Sequence, residues 1–172
     1  MQCVRVLGTR RARDRLGILA SVVIVGCLQL PQVALADKVK VKTEITAAAD
    51  LNPDRNGRPS PVVLLMFQLK TLDGFQNADF FSLFDPDAKI IAADMVGKRT
   101  EMTFQPGEVR PLEAEFDEEA RYIGFVAAFR DVEKAQWRGY VQLPDKGFVK
   151  KVFSRDKLVI QLQSLAVTAA IK

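Results

Sequence analysis

Along residues 38–47 polar and apolar positions alternate without a break. Lys38, Lys40, Lys42, Glu44 and Thr46 share one face; Val39, Val41, Thr43, Ile45 and Ala47 share the other. A period of two with charge on one side predicts a half-buried strand. The lysines would also blunt it at a sheet edge. Residues 51–61 (LNPDRNGRPSP) break the pattern with three prolines, a glycine and two asparagines, which predicts an irregular connection. Val62 to Leu69 (VVLLMFQL) is apolar almost throughout and predicts a central strand covered on both faces. Asn77 is placed to cap a short helix from Ala78 to Phe84, stopped by Asp85-Pro86. That helix would gather Phe80, Phe81 and Phe84 on one side as core.

Strand patterns recur at residues 101–105 and 109–116, around a Pro106-Gly107 turn, and at 122–129. There Gly124 leaves room for close approach of a neighbour. Further strands are predicted at 137–143, 148–153 and 157–165. Seven or eight strands joined by short turns, with one short helix, predict an all-β sandwich.

The N-terminal segment has a different pattern. Residues 1–15 are basic, and Leu16 to Gly26 are uncharged and mostly apolar, too short a run to span a bilayer. A basic start followed by a short apolar run is the pattern of an export leader. Two cleavage sites fit. Ile24-Val25-Gly26-Cys27 has the form of a bacterial lipobox, with the Cys27 thiol as lipid acceptor. Ala34-Leu35-Ala36 has the small-x-small form of ordinary signal peptidase and would leave Asp37 first, as a soluble periplasmic protein. The first reading divides the chain into a signal peptide (1–26), a lipid-anchored tether (27–37) and a β-sandwich domain (38–172).

Composition narrows the functions. The chain of 172 residues has 25 Lys+Arg against 21 Asp+Glu. Five of those arginines and one aspartate fall within residues 1–26, so the remainder is formally neutral. The basic excess is thus a property of the leader, and it gives no reason to expect a nucleic-acid partner. Histidine is absent, and the two cysteines are Cys3 and Cys27. A Ser-His-Asp triad and imidazole metal ligation are therefore impossible, and the domain has no thiol nucleophile or disulfide. No set of residues suggests catalysis, a cofactor, a metal or a small-molecule substrate.

Three stretches carry a resemblance. Residues 45–69 (ITAAADLNPDRNGRPSPVVLLMFQL) show a strand, then Asn-Pro, Gly-Arg-Pro-Ser-Pro and a strand closing in Gln-Leu. Residues 78–85 (ADFFSLFD) form the second, and the pair 106–108 (PGE) and 122–138 (YIGFVAAFRDVEKAQWR) the third. In this order they resemble the outer-membrane lipoprotein of the type VI secretion system, the TssJ or SciN-type family. The resemblance implies a transthyretin-like β-sandwich with an added helix, lipidated at Cys27 and facing the periplasm from the outer membrane. It also implies a non-enzymatic role, docking the periplasmic C-terminal region of the inner-membrane protein TssM. The matching contact loop is Asn52 to Ser60, with Asn52, Asp54, Arg55, Asn56, Gly57, Arg58 and Ser60 as candidate partner-binding residues. Arg55 and Arg58 are the ones suited to charge-assisted bonds with carboxylates. An ordinary surface connection is the other reading of this loop. Residues 71–79 and 130–136 are further candidate loops, and a soluble periplasmic carrier or inhibitor is the alternative function.

Overall fold

The computed structural model describes residues 38–144 and 157–172. They form eight strands in two four-stranded sheets. The order is β4-β1-β7-β8 in one sheet and β3-β2-β5-β6 in the other. The strands are β1 (Lys38–Ala47), β2 (Val62–Leu69), β3 (Thr100–Phe104), β4 (Val109–Asp117), β5 (Tyr122–Ala127), β6 (Arg138–Gln142), β7 (Leu158–Leu162) and β8 (Val167–Ile171). Neighbours pair antiparallel except β1 and β7, which run parallel.

The predicted alternation of β1 is realised. Val39, Val41, Thr43, Ile45 and Ala47 are buried, while Lys38, Lys40 and Lys42 face water. Rather than lying at an edge, β1 sits between β4 and β7, and its lysines meet acids. Lys40 stands opposite Glu115 and Lys42 opposite Glu113. Between the sheets lies the main core, where Val41 and Ile45 of β1, Leu64 of β2, Phe104, Phe116, Phe125 and Ile160 are fully or almost fully buried. Gln68 ties the two sheets together. It accepts from Asp117 N–H at 2.7 Å and donates to Glu115 O at 3.3 Å.

The continuous apolar run of β2 has the predicted cause. Leu64 and Met66 enter the main core. Leu65, Phe67 and Leu69 face the other way, into a second cluster with Phe75, Leu83 and Ile91. The roof over that face is α1 (Asp73–Asn77), α2 (Phe80–Phe84) and a 3₁₀ turn (Lys89–Ile91). Gly124 of β5 lies beneath it, and a Cβ there would fall 2.7 Å from Phe75 Cζ. The close approach expected at this glycine is thus the seat of Phe75.

Some expectations are corrected. The helix expected over Ala78–Phe84 begins only at Phe80, and α1, which was not expected, precedes it; Ala78 between them is extended (φ −73°, ψ 147°). Asp79, not Asn77, is the cap. Its carboxylate accepts from Ser82 N at 3.0 Å and Ser82 Oγ at 2.6 Å. The Asn77 side chain turns back to Asp73 O instead. Two helices of five residues cannot stabilise themselves, and Arg138 of β6 and Arg99, just before β3, close their C-terminal ends. Arg138 Nη1 donates to Phe75 O (2.8 Å) and Ala78 O (2.9 Å). Arg99 Nη1 donates to Phe84 O (3.0 Å) and Asp85 O (2.8 Å). Cations placed there complement the exposed carbonyls. Phe80 and Phe84 are partly buried, whereas Phe81 is 75% exposed and is not core.

The strand predicted over 157–165 stops at Leu162, and the chain turns back into β8, which the sequence pattern does not signal. Gln163 N–H donates to Ala166 O at 2.8 Å to close that hairpin. The predicted strand 148–153 and residues 1–37, including Cys27, lie outside the described residues.

Candidate partner-binding surface

The connection from β1 to β2 is fastened from below and open above. Asn52 is buried and has φ 50°, a left-handed conformation that asparagine tolerates better than most residues. It joins three segments. Its backbone N–H donates to Ser164 O at 2.8 Å. Its Nδ2 donates to Pro61 O at 2.7 Å, and its Oδ1 accepts from Arg130 N–H at 2.8 Å. Ser60, also buried, donates its N–H to Leu51 O at 2.9 Å, which closes the neck of the loop.

Above the neck Asp54 organises the tip. Its Oδ1 accepts from the N–H groups of Asn56 (2.8 Å) and Arg58 (2.9 Å), an Asx-type arrangement. Its own N–H donates to Arg58 O, and its carbonyl accepts from Gly57 N–H. Gly57 has φ 75°, where a residue with a Cβ would be strained. Arg55, Asn56, Gly57 and Arg58 are exposed. The seven candidates thus divide by position. Asn52, Asp54 and Ser60 build the loop, and the other four form its solvent-facing tip.

The connection between β5 and β6 lies alongside. A cleft of about 860 Å³ runs between the two. Pro53, Asp54, Arg55 and Asn56 form one side, Arg130, Asp131 and Lys134 another, and Leu165 of the β7–β8 turn completes it. Asp131 Oδ2 accepts from Lys134 Nζ at 2.8 Å. That bond holds the Asp131 carboxyl below the usual carboxylate range and raises Lys134 above the usual lysine value. Both acids of the cleft are therefore engaged within the fold. Among the described residues, Arg55, Arg58 and Arg130 have no carboxylate partner. The surface offers guanidinium donors to an incoming acidic or carbonyl-rich segment.

Sequence reasoning placed Asn52–Ser60 and 130–136 as separate candidate loops. It missed that Asn52 binds them into one surface, and it missed Leu165. The only sequence signal for the first is an asparagine before Pro53, which is also a common turn signature.

Comparison with known proteins decides the family. The model of the type VI secretion lipoproteins (VasD, EvfM, TssJ, VC_A0113) matches residues 39–165. The chain belongs to the type VI secretion lipoprotein family. Solved structures agree. The lipoprotein TssJ1 of Pseudomonas aeruginosa is 32% identical over 79% of this chain and 98% of its own, with a TM-score of 0.68. Serratia marcescens Lip, a membrane-bound component of the type VI secretion system, is 21% identical over 76% of this chain and 97% of its own, with a TM-score of 0.64. A chain in the structure of the TssM C-terminal domain (869–1107) from EAEC is 23% identical over 77% of this chain and 98% of its own, with a TM-score of 0.59. No curated protein matches. The matched region contains both loops of the cleft.

Proposed function

We infer that this chain is a non-enzymatic, lipid-anchored docking subunit of the type VI secretion membrane complex. It holds the periplasmic C-terminal region of TssM against the inner face of the outer membrane. The observation that carries this reading is the Asn52–Ser60 loop, pre-formed within a domain that belongs to the secretion lipoprotein family. Its tip is ordered by Asp54 before any partner arrives, so little conformational freedom remains to be lost on docking. Arg55 and Arg58 point their chemistry outward, and the 130–136 loop adds Arg130 and Lys134 on the far side of the cleft.

The anchor follows from Ile24-Val25-Gly26-Cys27 behind the basic start. Leu28 follows the cysteine, where an aspartate would signal retention in the inner membrane, so delivery to the outer membrane is expected. Several acyl chains on one cysteine give stable attachment where one gives only marginal binding.

Two measurements test the reading. Mass spectrometry of the mature protein should find an acylated Cys27 at the N-terminus. An N-terminal Asp37 would overturn the anchor and leave a soluble periplasmic domain. The double change Arg55→Ala and Arg58→Ala should lower affinity for the TssM periplasmic region at least tenfold, about 1.4 kcal/mol, with the circular dichroism of a folded β protein retained. Unchanged binding by that folded variant would remove the loop from the interface.

A further inference from the structure

The roof over the β3-β2-β5-β6 sheet ends in a side chain that the fold does not use. Phe81 is 75% exposed, more than any other large apolar residue described. It is nonetheless firmly placed. Its helix is closed at the front by Asp79 and at the back by the Arg99 guanidinium. Phe80 stands edge-on to Phe81 at 5.4 Å and edge-on to Trp137 at 5.4 Å, and Phe84 stacks on Phe80 at 5.4 Å. The exposed ring thus rests on Phe80, which is itself set between Phe84 and Trp137. An exposed aromatic side chain on a capped helix, resting on another ring, has the form of an interface anchor.

Its surroundings select the occupant. Asp79 lies two residues before Phe81 and Asp85 one helical turn after it, with Asp85 N–H bonded to Phe81 O. Beyond Asp85 is a shallow cavity of about 290 Å³ lined by Ser82, Asp85, Asp87, Lys89 and Ile90, and Ile90 is itself 52% exposed. Among the described residues, Asp79, Asp85 and Asp87 outnumber the cations at this edge, where Lys89 lies near Asp87 and Arg99 is turned onto the Phe84 and Asp85 carbonyls. Such an edge repels an anionic bilayer surface. A two-fold contact between copies would set these acids against one another. A protein presenting an apolar pocket rimmed by lysine or arginine is complementary on both counts.

Position ties the patch to the cleft. Trp137, which supports Phe80, directly follows the 130–136 loop, and that loop is bonded to Asn52 through Arg130. Two ring contacts of 5.4 Å thus link Phe81, through Phe80, to Trp137, the residue that follows this loop in the chain. A standard interface covers about 800 Å² on each partner, enough to include both.

We propose that Phe81, with its acidic edge, is a second anchor point for the protein partner that docks on the Asn52–Ser60 loop, inserting into an apolar pocket rimmed by basic groups. This rests on the docking function proposed above. It divides the surface into a basic half at the cleft and an apolar, acid-edged half at α2, so the partner must carry the opposite order.

The experiment uses the full chain, processed in the cell and solubilised in mild detergent, with the TssM periplasmic region as probe. Affinity is measured for the unaltered protein, Phe81→Ser, Asp85→Lys, and the Arg55→Ala/Arg58→Ala pair. Phe81→Ser is expected to weaken binding at least tenfold, and Asp85→Lys severalfold, with melting temperature and Trp137 fluorescence unchanged. A loss in the arginine variant with none in Phe81→Ser overturns this inference and leaves the docking function standing. No binding by the unaltered chain overturns both. Co-sedimentation of Cys27→Ser protein with anionic vesicles that depends on Phe81 would assign the patch to the bilayer instead. A Phe81-dependent change in mass by light scattering would assign it to self-association. Either result overturns the proposal.

Discussion

The outward faces of the two sheets solve the same problem in different ways. On the β4-β1-β7-β8 sheet, Lys38, Lys40 and Lys42 are exposed and stand across from Asp117, Glu115 and Glu113. On the β3-β2-β5-β6 sheet, Leu65, Phe67, Leu69 and Val126 are fully buried beneath the helical roof. The first face is charge-compensated, with Lys157 Nζ also 2.8 Å from Glu44 Oε2. Exposed pairs of this kind contribute little to stability. The second face adds a small core of its own, and it is the one that supports Phe81. The bare face serves solubility, and the roofed face is where sequence change has structural cost.

That contrast can be broken at graded strengths. Phe75→Ala should destabilise by about 3–5 kcal/mol, because the ring is fully buried between α1 and Gly124. Urea unfolding measures it, and an effect below about 1 kcal/mol would mean that the roof is not a cooperative part of the fold. Gly124→Ala should cost about 1–3 kcal/mol by overpacking, since its Cβ would also lie 3.1 Å from Leu69 Cδ1. Trp137, the only tryptophan of the chain, should report that displacement by fluorescence through its contact with Phe80. Arg138→Met should cost about 2 kcal/mol, leaving the Phe75 and Ala78 carbonyls without their guanidinium donor. At the low end, Lys42→Ala or Glu113→Ala on the bare face should change stability by no more than about 0.5 kcal/mol.

Acid should loosen the cap of α2. The Asp79 carboxyl lies below the usual carboxylate range because Ser82 donates to it from its hydroxyl and from its backbone N–H. A folded-state pKa below the unfolded value means stabilisation that is complete at neutral pH. It is lost as pH falls through the ordinary carboxylate value and then through the lowered one. A Trp137 fluorescence titration from about pH 6 to about pH 2 should therefore show a step that Asp79→Ala removes. An identical titration in the variant would show that the cap does not control α2.

The same contrast explains what could be read from the residues alone. The alternation of β1 and the unbroken apolar run of β2 were legible because each records how many faces of a strand are covered. The roof was legible only as an aromatic-rich helix. Its break at Ala78 depends on a choice between Asn77 and Asp79 as cap, settled by Ser82 three residues after Asp79. Strand β8 (VTAAI) was missed because its small residues show no alternation, and only pairing with β7 defines it. For the candidate surface, the tip residues were readable from turn chemistry. The joining of loops 78 residues apart through the Asn52 side chain was not, because no local pattern encodes a contact at that separation.

Strand β1 enters at Lys38, runs about 30 Å, and leaves at Ala47 straight into the Asn52–Ser60 loop. On the function proposed above, an anchor before Lys38 and a partner beyond Ala47 would put tension along this one strand. The hydrogen bonds to β4 lie across that direction, and over Thr43–Ala47 those to β7 brace the strand from its other side. Because β1 is already extended, a pull between its two ends is carried by its covalent backbone, and the flanking strands need not part. The doubly braced half is the half next to the loop, where a partner's pull would arrive.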